Sequence, residues 1–459
     1  MIVDIQQTRG NLNISFVDNK GEINMMPLKI PSEDMFNWTL CNPSQKPEVG
    51  ITSWNGKPVR KTKTGYLTKF RIEEFLMKQP DYITDVLYEA NLPKIFSCDI
   101  EVEVTDDGFP HPHIAKNAIT SIAFCNGKKV FALGTKKLTA SEIRNIEIKT
   151  NEHFKDFYEI EFKYIYFETE YDMLYSFLSK AMKKIPLLTG WNFIGFDWPY
   201  IVNRARKLNI DPEICSDSHA LLTKAELPQH KIVVDYMQIY KTWDRTASVK
   251  ESNGLDWVGQ TVLGLNKIKY SGTLQELYEQ DFEKYIFYNV VDTLLVQHIH
   301  EKIKTMNVFL TLATITKVEV RNAFSPIFMT ESAICRDFYK RGQVFPKTDS
   351  NHKRESYEGA FVFNPIPGIY EWLGSFDFAS LYPSIMRQWN ISPESYIRNT
   401  KEKISDPKYI QTSTGAVFDN SKNSVFRNIL TRYYGKRKEA KKRMFVIKGE
   451  IESLKEYIK

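Results

Sequence analysis

IFSCDIEVEV, residues Ile95 to Val104, reads as a strand and carries Asp99 and Glu101 two positions apart. Side chains at period two share a strand face, so both carboxylates point the same way and can share a divalent ion. Taken alone, such a pair is more often surface charge. Two further acidic segments lie downstream. TGWNFIGFDWPYI, Thr189 to Ile201, holds Asp197 in an aromatic-rich turn entering a helix, where on its own it would serve equally as an N-cap. YNVVD, Tyr288 to Asp292, sets a tyrosine and an aspartate on one helical face at i, i+4. The order of the three segments, at intervals of 98 and 95 residues, is far more specific than any one of them.

The 459 residues allow about three domains. With 42% hydrophobic, 26% charged and 13% aromatic residues, the composition is that of packed globular domains and excludes disorder. No apolar run reaches the length of a membrane span, and the N-terminus lacks a signal-peptide pattern. Five cysteines, Cys41, Cys98, Cys125, Cys215 and Cys335, are scattered with no C-x-x-C, so neither a zinc site nor a disulfide framework is indicated. The expected setting is a reducing cytoplasm. Neither G-x-x-x-x-G-K nor G-x-G-x-x-G occurs, which removes support for nucleotide binding through those loops.

The net charge of +6 is unevenly placed. Residues 427–459 carry eleven Lys/Arg against four Asp/Glu, and the remainder is nearly balanced. A solvated basic helix explains this as well as a phosphate-binding element does.

Along the chain, residues 1–93 read as short strands and loops punctuated by prolines, with a helix at 69–79. From Lys94 an α/β alternation sets in: strands near 95–104 and 118–133, helices near 171–184, 197–207 and 281–304. The expected class is thus a multidomain α/β (α+β) protein. Its expected domains are an N-terminal domain at 1–93 completed by the helical 305–347, an α/β domain at 94–304, a further unit at 348–428, and a long helix at 429–459. In the third unit, DFASLYPSIM, Asp377 to Met386, follows the apolar run Tyr370 to Phe376. A strand there would deliver one metal-binding carboxylate, and a Tyr-Pro-Ser turn would lead the chain away. Metal-assisted phosphoryl transfer normally takes at least two carboxylates, and no second acid on a strand follows Asp377.

Together these segments resemble family B DNA polymerases, most closely the replicative enzymes of tailed phages. The 95–104, 189–201 and 288–292 segments look like Exo I, Exo II and Exo III of the 3′–5′ proofreading exonuclease, an RNase H-like domain. DFASLYPSIM looks like polymerase motif A, and YEGA, Tyr357 to Ala360, like the segment linking the two modules, which implies DNA contacts for Tyr357, Gly359 and Ala360. SPIFMTESAI at 325–334, FNPIP at 363–367 and RQWNISPE at 387–394 echo the same pattern. The likeness is strong from about Lys94 to Met444 and faint before it.

The resemblance implies roles. Asp99, Glu101, Asp197 and Asp292 would hold two Mg²⁺ ions at the scissile phosphate of a 3′-terminal nucleotide, and Tyr288 would orient the attacking water. Oxygen ligands suit Mg²⁺ or Mn²⁺ and argue against zinc. Asp377 and the Phe378 carbonyl would ligate two more ions in an assembled polymerase site. The backbone of Ser380, Leu381 and Tyr382 would meet the triphosphate, with the Tyr382 ring as a steric gate against ribose. RKEAK, Arg437 to Lys441, resembles the start of the fingers, and its i, i+4 cations Arg437 and Lys441 suit a polyphosphate. Farther on, Met444, Ile447, Ile451, Leu454 and Ile458 recur in steps of 3, 4, 3 and 4, a stripe that calls for a second helix.

In the family that mate carries K-x-x-x-N-S-x-Y-G, and a D-T-D strand beyond it supplies the second catalytic aspartate; neither occurs in this sequence. Three accounts of this stay open: a naturally split polymerase, an interrupted coding sequence, or a truncation. Ending after a complete helix favours the first. The expected partners are primer-template and single-stranded DNA, dNTPs, a C-terminal polymerase subunit and, by resemblance, a sliding clamp, with no membrane. The alternatives are a free-standing 3′–5′ exonuclease and a non-catalytic nucleic-acid-binding regulatory subunit.

Overall fold

The computed structural model describes residues 1–104, 108, 110–222, 226–244, 251–347, 359, 362–378 and 380–458. The chain divides into two compact units, 1–31 with 79–330, and 32–78 with 331–459. The segment 1–93 therefore contributes to both. No described helix is long and apolar enough to cross a membrane.

The first unit is built on a six-stranded mixed sheet. Its order is Glu161–Tyr166, Lys129–Gly134, Ile119–Asn126, Ile95–Val102, Leu187–Gly190, Ile232–Asp235. The Ile95 strand sits inside the sheet, antiparallel to the Ile119 strand and parallel to the Leu187 strand. The run 118–133, expected as one strand, is a hairpin: Gly127 turns the chain at φ +61, a conformation that costs glycine little, and Asn126 pairs with Lys129.

Alternation along the Ile95 strand explains the two layers. Cys98, Ile100 and Val102 face one apolar core with Trp198 and Tyr200 of the helix Asp197–Lys207. Ser97, Asp99 and Glu101 face the other way, toward the helix Phe282–Ile303. That helix is buried along most of its length. Asp281 caps its start by accepting the Lys284 N–H, and Lys304 ends it in the left-handed region at φ +53. Gly190 closes the strand beside the acids, where a Cβ would collide with the Cys98 carbonyl oxygen. A three-stranded antiparallel meander over residues 2–29 packs through Met1, Val3 and Val17 into the other core, the one around the Phe282 helix.

The C-terminal part of the second unit holds a small antiparallel sheet, in the order Tyr396–Asn399, Ala416–Asp419, Tyr409–Gln411, with the helices Leu381–Gln388 and Val425–Ile458. Polar clamps join them. The buried Asn390 donates to the Asp419 and Lys422 carbonyls and accepts the Ser424 N–H, while Arg427 donates to the carbonyls of Arg387 and Gln388. The expected strand over 370–376 is absent: Trp372 is 100% and Phe376 98% exposed. A strand without a neighbour makes no ladder hydrogen bonds, and none of the described strands pairs with this run. The expected Tyr-Pro-Ser turn is instead the first turn of the Leu381 helix, a position where proline's missing N–H costs nothing.

Asn390→Ala should lower the unfolding free energy of the second unit by about 2 kcal/mol, because it orphans two carbonyls and an amide. An unchanged urea midpoint for that unit would contradict the role assigned to this side chain.

Candidate metal centre

Asp99 and Glu101 reach the same point as Asp292, which comes from the middle of the Phe282 helix. Ligand oxygens of the three all lie within 4.8 Å of one another. Asp197, the first residue of its helix, is buried and bonded to the strand between the two acids, its Oδ1 accepting the Ile100 N–H at 3.2 Å. It does not join the trio at that spacing. The sequence-expected acids therefore gather beside the Ile95 strand, three of them with oxygens within 4.8 Å of one another and the fourth held alongside.

The neighbours of this cluster were not legible in the sequence reading. Lys267 Nζ lies 2.6 Å from Asp292 Oδ2 and 5.1 Å from the Tyr288 ring, so Tyr288 and Asp292 meet through a lysine as well as through their helix. Tyr270 packs edge-on against Tyr288 with ring centroids 5.4 Å apart. Asn289 donates from Nδ2 to Asp99 Oδ2 at 2.7 Å and accepts from Ser121 Oγ at 2.8 Å. A signal for Asn289 existed, since it lies within YNVVD itself, directly after Tyr288. Lys267, remote in sequence from Asp292, carried none.

Electrostatics follow from burial and like charge. Burial pushes the Asp99 carboxyl up to about 7, the nearby Asp292 charge adds to this, and Lys267 and Asn289 oppose it. Glu101 and Asp197 are driven well above the carboxylate range, by burial first and then by the charge of Asp99. Asp292 is raised by burial despite its bond to Lys267. Burial would pull the Lys267 ammonium down, but Asp292 and Tyr288 outweigh that and hold it charged.

One atom tests the fit of a cation. Asp292 Oδ1 is buried and makes no hydrogen bond, although such an atom costs about 1–3 kcal/mol if left without a partner. Three hard oxygen donors and an orphaned carboxylate oxygen are the donor set of a divalent ion held by oxygen. The fold and the cluster thus define an α/β protein with a carboxylate site suited to divalent metal.

Comparison with known proteins agrees. Residues 50–234 match the family model "DNA polymerase family B, exonuclease domain", and residues 327–455 match "DNA polymerase family B". The chain is 31% identical over 410 residues to the DNA-directed DNA polymerase of Escherichia phage RB69, and 29% identical over 414 residues to that of Enterobacteria phage T4. Each alignment covers 82% of this chain and 45% of the relative. A DNA polymerase of Archaeoglobus fulgidus is 27% identical over 257 residues, covering 56% of this chain and 32% of the relative. The chain belongs to family B of the DNA polymerases. It spans less than half the length of the phage relatives, with the exonuclease domain and part of the polymerase palm. Exonuclease domains of this family use divalent metals, in keeping with the cluster.

The sequence-expected residues of the other module fall in the second unit. Asp377 and Phe378 are exposed, and Ser380, in the left-handed region at φ +55, caps the Leu381 helix. Leu381 and Tyr382 open that helix with exposed side chains. Arg437 and Lys441 lie one turn apart and exposed on the Val425–Ile458 helix. Gly359 is exposed, while Tyr357 and Ala360 lie outside the described residues.

A divalent ion should raise the melting temperature of this unit, and the gain should grow with pH. The folded pKa of Asp99 lies above its unfolded value, so ionising it costs the ion-free fold stability as pH rises from about 4 toward about 7. Metal binding expels the proton and recovers that cost. Millimolar Mn²⁺ should therefore give a larger shift at about pH 8 than at about pH 6, and Asp292→Ala should remove it; a shift independent of pH and of Asp292 would contradict this.

Proposed function

We propose that the chain is the exonuclease-bearing part of a replicative DNA polymerase, removing 3′-terminal nucleotides from DNA and supplying one acid of the polymerase centre. The observation that carries the reading is the convergence of Asp99, Glu101 and Asp292 on one point, with Asp197 bonded beside it. These four acids would hold two Mg²⁺ ions, with Mn²⁺ an acceptable substitute, and ions so placed would generate a hydroxide nucleophile and stabilise the departing 3′ oxygen. The chain's own groups do the rest. Tyr288, one helical turn before Asp292, orients the attacking water with its hydroxyl. Asn289 holds Asp99 in place, and Lys267 keeps Asp292 ionised.

For synthesis, we assign Asp377 and the Phe378 carbonyl to metal binding, Ser380, Leu381 and Tyr382 to the triphosphate and sugar, and Arg437 and Lys441 to the phosphates. Gly359, with Tyr357 and Ala360, is assigned to DNA. This half requires a further polypeptide segment bearing a second aspartate and a helix to cover the Met444–Ile458 stripe. All described residues from 436 to 458 are exposed, which favours an external mate over packing of the stripe on this chain. A sliding clamp and a cytoplasmic setting in the phage host accompany the same reading. The non-catalytic alternative is disfavoured by the intact acid set, whereas a free-standing exonuclease differs only in what becomes of Asp377.

Two assays check this. With Mg²⁺, the chain should shorten single-stranded DNA from its 3′ end, and Asp99→Ala should slow that by at least about a hundredfold. Digestion from the 5′ end, or without a divalent ion, would refute the exonuclease assignment. Nucleotide incorporation should appear only once a C-terminal segment carrying the second aspartate is added, and should vanish in Asp377→Ala. An assembled, verified complex that stays inactive would refute the polymerase half.

A further inference from the structure

The face of the central sheet turned away from the acids carries a second feature, independent of the nuclease reading. At that face the helical layer stops short and leaves a groove of about 470 Å³. Period-two alternation puts Phe96, Phe124, Phe131 and Phe167 on its floor, and Phe124 and Phe131 stack there with ring centroids 5.3 Å apart. One wall is a π-helical turn, Phe177–Ala181, a rare conformation that tends to mark functional sites. The outer strand of the sheet, Glu161–Tyr166, bounds the opposite side and exposes Ile165 at 40%. A strand in that position presents backbone groups unpaired by any other described strand.

The rim has one sign of charge. Lys129, Lys180 and Lys184 line it, and no carboxylate does. Lys129 pairs with Glu161, whereas Lys180 and Lys184 are exposed and have no carboxylate partner among the described residues. An occupant must therefore offer apolar side chains to the phenylalanine floor and negative charge to the lysines. The floor runs over four neighbouring strands, from Phe96 to Ile165 and Phe167, which favours an extended chain over a compact small molecule.

We propose that this groove docks an acidic peptide segment of a partner protein, with large apolar side chains seated on Phe96, Phe131 and Phe167 and flanking carboxylates meeting Lys180 and Lys184. The segment lies in extended form across the sheet face, so that alternate side chains reach the phenylalanine floor.

The test uses the full chain and a fluorescein-labelled peptide, Glu-Asp-Phe-Leu-Glu-Phe-Asp, followed by fluorescence anisotropy. Saturable binding is expected, stronger at low salt. Lys180→Glu combined with Lys184→Glu, both exposed positions, should weaken it by at least about tenfold, as should Phe131→Ala, with melting temperature and single-strand digestion unchanged in the lysine double variant. The same peptide with lysine in place of its acids should not bind. Absence of saturable binding, equal binding of the lysine peptide, or insensitivity to the double reversal would overturn the proposal. So would displacement of the acidic peptide by a thymidine oligonucleotide or by dodecanoate at equal concentration, which would assign the groove to nucleic acid or to a small amphipathic acid.

Discussion

Three carboxylates crowded within 4.8 Å of one another are the constraint around which the exonuclease unit is arranged. Two like charges about 4 Å apart repel by about 4 kcal/mol at an effective dielectric constant of about 20. Three acids make three such pairs, and Lys267 is the one cation that touches them among the described residues. A single ammonium cannot balance that set, and burial, with the Asp292 charge adding to it, pushes the Asp99 carboxyl up to about 7. The fold holds the cluster together against this repulsion. One strand fixes the spacing of Asp99 and Glu101, a buried helix fixes Asp292, and the Ile100 amide fixes Asp197.

The same constraint explains what could be read from the sequence. Period two on a strand showed that Asp99 and Glu101 share a face, and i, i+4 on a helix showed the same for Tyr288 and Asp292. That these pairs and Asp197 belong to one site was legible only through the order of the three segments. Lys267 was not, because it reaches Asp292 by tertiary folding with no local periodicity to announce it. The hairpin hidden in 118–133 escaped for a related reason: both strands are apolar, and only the turn at Gly127 separates them.

The polymerase half shows the limit from the other side. The run 370–376 is apolar enough for a strand, yet it stays outside any described sheet, because strands are made by neighbours and not by composition. Helices bond internally, and so the Val425–Ile458 helix forms over 34 residues, about 50 Å, although its last part is bare of packing. The basic stretch and the apolar stripe identified from sequence thus lie on one exposed helix.

Anomalous diffraction from crystals soaked in Mn²⁺ tests the central claim most directly. The account places a manganese peak among the carboxylates of Asp99, Glu101 and Asp292, with Asp292 Oδ1 as a ligand. A fully occupied soak with no peak there, and Lys267 still paired with Asp292, would contradict it.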